Sequence, residues 1–147
     1  MIQLLFSRRN HPGSWLIRTV SWSEWSHVEV VLPDDRLLGA AAPHGVGFAS
    51  IYERMDVASH VATMTFPGDF EAGMRWAEGQ IGKPYDYTGV IGLGLHRDWE
   101  EDDAWWCSEF AGKFLKEAGF MPYRSDVITR LTPQHLFMLD QPFDIIK

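Results

Sequence analysis

Cys107 is the only cysteine among 147 residues, and it opens a stretch patterned as an amphipathic helix. Phe110, Ala111, Phe114, Leu115 and Ala118 recur at spacings of three and four, with Ser108, Glu109, Lys113, Lys116 and Glu117 on the other side. Gly119 stands where a helix C′ stop belongs. A thiol in the first helical turn faces backbone N–H groups that have no intrahelical acceptor, at the positive end of the dipole. Both favour the thiolate, the nucleophilic form, and the same N–H groups can hold an oxyanion. The competing reading is a buried structural cysteine, because Cys107 shares the apolar face of Phe110 and Phe114.

A cysteine nucleophile needs a base, usually histidine, and often a third polar group that orients the ring. The chain has six histidines. His27 is distinguished by its place, beginning the β-branched run His27-Val28-Glu29-Val30-Val31-Leu32 after the tryptophan- and serine-rich turn at residues 21–26. Glu29 follows two residues on, so alternation puts it on the same strand face as His27, about 6.5–7 Å away along the backbone. Side chains so related run nearly parallel, which does not favour a direct hydrogen bond, whereas charge makes a carboxylate the better partner for an imidazolium. His44, just past Ala40-Ala41-Ala42-Pro43, approaches from another segment and is the rival third member. A Cys107–His27 dyad with neither is the remaining alternative.

These side chains need a scaffold. The length suits a single domain spanning residues 1–147, and 46% hydrophobic with 14% aromatic residues indicates a folded core. A net charge of −7 argues against nucleic-acid binding through phosphate neutralisation. One cysteine rules out an internal disulfide and a multi-cysteine zinc site, and no metal or cofactor is implied. No apolar run approaches the roughly 18 residues of a membrane span. The apolar run at the N-terminus precedes its Arg8-Arg9 pair, the wrong order for a secretory signal, so a soluble, cytoplasmic protein is expected.

Strands are expected at 2–6, 27–32, 36–41, 45–51 and 60–66, the second and third as a hairpin turning at Asp34-Asp35, with an edge strand near 143–146. Ser14 is the expected cap of a short helix over 15–20. Asp69 caps a helix presenting Phe70, Met74, Ala77 and Ile81, and Thr132-Pro133 starts a last helix running to Met138. Residues 88–95 suit a packed loop or short helix. The run Glu100-Glu101-Asp102-Asp103 reads as a loop, either a solvated one that only keeps the protein soluble or one beside the cleft that favours cationic substrates. Helices segregated from an antiparallel sheet define an α+β fold.

Three pieces in order carry a resemblance: Trp25-Ser26-His27-Val28-Glu29-Val30-Val31, then Ile81-Gly82-Lys83-Pro84-Tyr85-Asp86-Tyr87, then Trp106-Cys107-Ser108-Glu109-Phe110. Together, over about residues 14–137, they resemble the circularly permuted NlpC-type, papain-like cysteine hydrolases of the YiiX/YaeF/YebB-like group, distant relatives of lecithin:retinol acyltransferase. In the permuted set histidine precedes cysteine, as here. The resemblance implies a small antiparallel sheet or open barrel with the nucleophile helix packed on it. It implies Cys107 as nucleophile, His27 as base and hydrolysis or transfer at an amide, or in some branches an ester or thioester. Many relatives carry the third polar residue on the strand after the histidine, where this chain has Gly39-Ala40-Ala41. Tyr85 matches a family tyrosine near the cysteine and is a candidate for substrate contact or oxyanion support. Trp25, Trp106 and Ser108, beside the expected pair, are the other candidate substrate contacts.

The expected function is therefore an amide-cleaving cysteine peptidase or amidase. Peptidoglycan peptide is the family's default substrate, and a phage or prophage setting would reconcile it with a cytoplasmic location. The alternatives are a lipid or thioester acyl hydrolase or acyltransferase, and a non-enzymatic module that keeps the fold. Substrate and oligomeric state are not legible in the sequence.

Overall fold

Ile2, Leu4, Leu5 and Phe6 are all buried although they alternate in direction, which is how a central strand covered on both faces reads. In the computed structural model, which describes residues 1–95 and 103–147, this run is β1 (Ile2–Arg8). It lies between β2 (His27–Val31) and β5 (His60–Phe66). With β3 (Arg36–Ala41), β4 (Gly45–Ser50) and β6 (Phe143–Ile145) they form one open sheet in the order β4-β3-β2-β1-β5-β6, every pair antiparallel. The fold is α+β.

The helices divide unequally between the faces. Ile2, Leu4, Phe6, Val28, Val30 and Leu38 join the larger core beneath α3 (Phe70–Glu78), α5 (Cys107–Glu117) and α6 (Pro133–Phe137). Eight of the eleven residues of α5 are buried, making it the helix most enclosed by that core. Leu5, Leu37, Ala58 and Val61 form the smaller core on the other face, beside α2 (Ile51–Val57). The remaining helices are α1 (Pro12–Ser21) and α4 (Tyr87–Gly94), and a 3-10 turn spans Ser125–Arg130.

Several local expectations differ from what folds. α1 starts at Pro12 and is capped by His11, whose ring accepts from the Gly13 N–H. Ser14 instead accepts from the Arg9 N–H and donates to Ser26, a tertiary bond that local pattern does not encode. α3 stops at Glu78, so Ile81 is not on its face. The acidic residues Glu100, Glu101 and Asp102 lie outside the described residues, while Asp103 is exposed and ion-paired to Lys83 at 2.8 Å. Among the described residues, no helix is long and apolar enough to cross a membrane.

Candidate active site

The serine-rich turn before β2 is a hydrogen-bonded clamp. Ser23 Oγ donates to the Trp25 carbonyl at 2.6 Å and accepts from the Trp25 N–H at 3.1 Å. The Ser26 N–H donates to the Ser7 carbonyl of β1 at 3.1 Å, and Ser14 Oγ donates to Ser26 Oγ at 2.7 Å. His27 therefore begins β2 in a set register, opposite Ser7.

Cys107 is the first residue of α5. Trp106, its N-cap, supplies no side-chain hydrogen bond, so no capping oxygen occupies the first-turn N–H groups that an anion would use. The segment ahead is held by Tyr85, which bridges Trp105 in a short parallel pairing: Trp105 N donates to the Pro84 carbonyl and Asp86 N to the Trp105 carbonyl, each at 3.0 Å. The 82–84 stretch is laced to β4 through Val46. This approach requires Gly45, since a Cβ there would stand 2.1 Å from the Lys83 carbonyl oxygen and the residue has φ of +83°. Through these ties Tyr85 and Cys107 are neighbours.

His27 sits between two partners. Its Nε2 approaches Glu29 Oε1 at 3.2 Å. That contact is an ion pair without hydrogen-bond alignment, as expected for side chains leaving one strand face in parallel. The Cys107 side chain also lies close to the ring. Burial pushes the imidazole toward its neutral form; the Glu29 charge, the nearby Cys107 side chain and the close approach of Glu29 outweigh this and raise its pKa to about 9. Burial likewise pushes the Glu29 carboxyl up, but His27 and then Arg54 bring it down to about 2. The two groups thus hold each other charged at neutral pH. Tyr85 is shifted upward, first by burial and then by the neighbouring Cys107, so its phenol keeps its proton.

Arg54 of α2 was not legible in the sequence. Its Nε donates to Glu29 Oε2 at 2.7 Å and its Nη2 to Oε1 at 2.8 Å. Gly39 of β3 makes room for Glu29, since a Cβ there would lie 3.0 Å from its Cγ. The only available signal was Ser50 with Glu53 three residues on, the spacing of a helix start, and Ser50 does cap α2.

The other candidates separate. His44 is exposed in the turn between β3 and β4. Trp25 packs on Phe6 and Phe137 in the core, Trp106 is 1% exposed, and Ser108 spends its hydroxyl on the Leu131 carbonyl at 2.5 Å. Tyr85 lines a cavity of about 280 Å³ with His27, Arg54, Arg9, His11 and Ala41. Cys107 is 1% exposed and does not itself line this cavity, but two residues that do, His27 and Tyr85, are close to it.

No family model matches the chain. One subunit of the light-independent protochlorophyllide reductase of Roseobacter denitrificans (strain ATCC 33942 / OCh 114) is 32% identical over 74 residues, 50% of this chain but only 12% of that protein. A match so partial says nothing of the whole. The crystal structure of metalloprotein yiiX from Escherichia coli O157:H7, DUF1105, superposes with a TM-score of 0.68, covering 99% of this chain and 95% of that one. The chain has the yiiX fold. Identity to yiiX is 15%, so the likeness carries the architecture and leaves residue roles to the geometry above.

Proposed function

We propose that the protein is a cysteine hydrolase with a permuted papain-like arrangement, cleaving an amide through Cys107 and His27 with Glu29 as third member. The observation that carries this is the half-buried imidazole, close to the Cys107 thiol and ion-paired at 3.2 Å with the Glu29 carboxylate. In this reading Cys107 Sγ attacks the carbonyl carbon as the thiolate partner of an already protonated His27. The carbonyl oxygen, now anionic, is held by the Cys107 backbone N–H. Collapse expels the amine, which leaves with the proton from His27, and water then hydrolyses the thioester by the same base. Tyr85, which keeps its proton, is suited to donate to substrate from the cavity wall. A peptide amide such as that of peptidoglycan is the first substrate class to try.

A metal does not suit this centre, although yiiX is described as a metalloprotein. Both Glu29 oxygens face the Arg54 guanidinium, whose charge would oppose a cation on that carboxylate. Among the described residues no group of three or more His, Cys, Asp or Glu is arranged to hold one.

Two observations favour other readings. The enclosure of Cys107 favours a binding module that keeps the fold without the chemistry. An apolar groove of about 320 Å³ between α1 and α4, which shares Ile17 with the cavity, favours an ester or thioester with an aliphatic acyl chain.

Iodoacetamide alkylation of Cys107, followed by mass spectrometry, tests the pair. Wild type should react at neutral pH, and His27→Ala should slow the reaction about tenfold or more. Equal rates would remove His27 as the base. Reaction followed by turnover of peptide amides or acyl esters separates hydrolase from module and names the bond.

A further inference from the structure

We propose that Arg54 is a positioning residue for this centre: its guanidinium fork sets the plane of the Glu29 carboxylate and so the orientation in which His27 meets Cys107. The inference rests on the Cys107–His27 reading and adds a fourth residue, supplied by a different helix.

The geometry is that of a relay. Arg54 Nη2 and His27 Nε2 converge on one oxygen, Glu29 Oε1, at 2.8 and 3.2 Å, while Arg54 Nε takes Oε2 at 2.7 Å. A carboxylate on a two-carbon stem can rotate about its last bond, and a single contact would leave that rotation free. Two parallel N–H···O bonds remove it, which a planar guanidinium does and an ammonium cannot. The Glu29 stem runs past Gly39, where an added Cβ would stand 3.0 Å from its Cγ. The imidazole contact is unaligned as a hydrogen bond, so His27 contributes less to holding the carboxylate than Arg54 does.

Burial separates this pair from an ordinary surface bridge. The side chains of Arg54 and Glu29 are 17% and 2% exposed, and Arg54 also lines the cavity that His27 and Tyr85 line. None of the residues of α2 is buried, so the helix adds little apolar packing of its own; its deepest polar tie is this fork. The charged and titratable groups around His27 are Glu29 on its own strand, Arg54 from α2, Cys107 from α5, Tyr85 before α4, and Arg9 and His11 across the cavity. Of these, only Arg54 fixes the orientation of Glu29 through two bonds.

The discriminating substitution is Arg54→Lys, which keeps the charge and loses the fork. In ¹⁵N-histidine NMR of the full chain, with the His27 signals assigned through His27→Gln, this variant should lower the His27 titration midpoint by about one unit. It should also slow iodoacetamide alkylation of Cys107 about tenfold. In Arg54→Ala, added guanidinium ion should restore alkylation where equal ammonium ion does not. An Arg54→Lys protein whose His27 midpoint and alkylation rate match wild type would overturn the proposal and leave Arg54 a structural counter-charge. Should the variants not fold, wild type decides: the Arg54 Nε–H resonance should be protected from exchange and should shift with the His27 midpoint. A freely exchanging or non-titrating signal would overturn it. Failure of the base reading looks different, because His27→Ala would then alkylate like wild type whatever Arg54 does to the His27 titration.

Discussion

Replacing Glu29 by glutamine removes one charge from a nearly isosteric side chain and exposes what the buried pair contributes. His27 is raised from 6.5 to about 9, which corresponds to about 3 kcal/mol of interaction favouring the protonated ring in the folded state. The lowering of Glu29 from 4.5 to about 2 describes largely the same attraction and is not added to it. A group raised on folding stabilises fully below its unfolded pKa, and that stabilisation is lost as pH rises through the folded value. The His27 contribution is therefore complete below 6.5 and gone above about 9. A group lowered on folding behaves oppositely, so the Glu29 contribution is complete above 4.5 and lost as pH falls through about 2. Both operate together between 4.5 and 6.5. Glu29→Gln should then cost about 3 kcal/mol at pH 5.5, with more if Arg54 is left uncompensated, and a melting temperature lower by about 6–12 °C. Urea unfolding of both proteins at pH 5.5 and pH 10 is the assay, with equal m-values required for the comparison. Wild type should lose stability across that range and the variant should lose much less. An equal penalty at both pH values would refute the reasoning, since it would mean that His27 and Glu29 do not stabilise each other by charge.

Gly39→Ala should press on the Glu29 stem at 3.0 Å and displace the carboxylate, costing about 1–3 kcal/mol and slowing Cys107 alkylation, read by urea unfolding and mass spectrometry on one preparation. Ser108→Ala should leave the buried Leu131 carbonyl without its donor, lowering stability by about 1–3 kcal/mol in the same unfolding assay. Its substrate affinity should be unchanged, and a raised KM without loss of stability would return Ser108 to the substrate site.

The pieces legible in sequence were those in which short-range pattern and burial agree. The apolar run of β1, the β-branched run of β2 and the spacing of Phe110, Phe114 and Leu115 each announce an element because the buried face is written at the period of that element. Thr132 and Asp69 announce helix starts because a cap acts on N–H groups two or three residues away. α2 was silent for the converse reason: with no buried residue it carries no apolar stripe, so periodicity has nothing to report. The pairing of Arg54 with Glu29 spans 25 residues, and nothing local in either segment requires it.

By itself the sequence determined an antiparallel α+β domain, a thiol at the head of an amphipathic helix, and a histidine with a carboxylate on one strand face. These follow from composition, periodicity and alternation, which act over a few residues. The tertiary structure decided which partners meet. It brought His27 to Cys107, gave Glu29 the space beside Gly39, left His44 exposed in its turn, and committed Trp25, Trp106 and Ser108 to packing or backbone bonds. It also closed Arg54 over the carboxylate. Those outcomes depend on strand order, on the register that sets His27 against Ser7, and on the space left where a side chain is missing, and such quantities exist only once distant segments have packed.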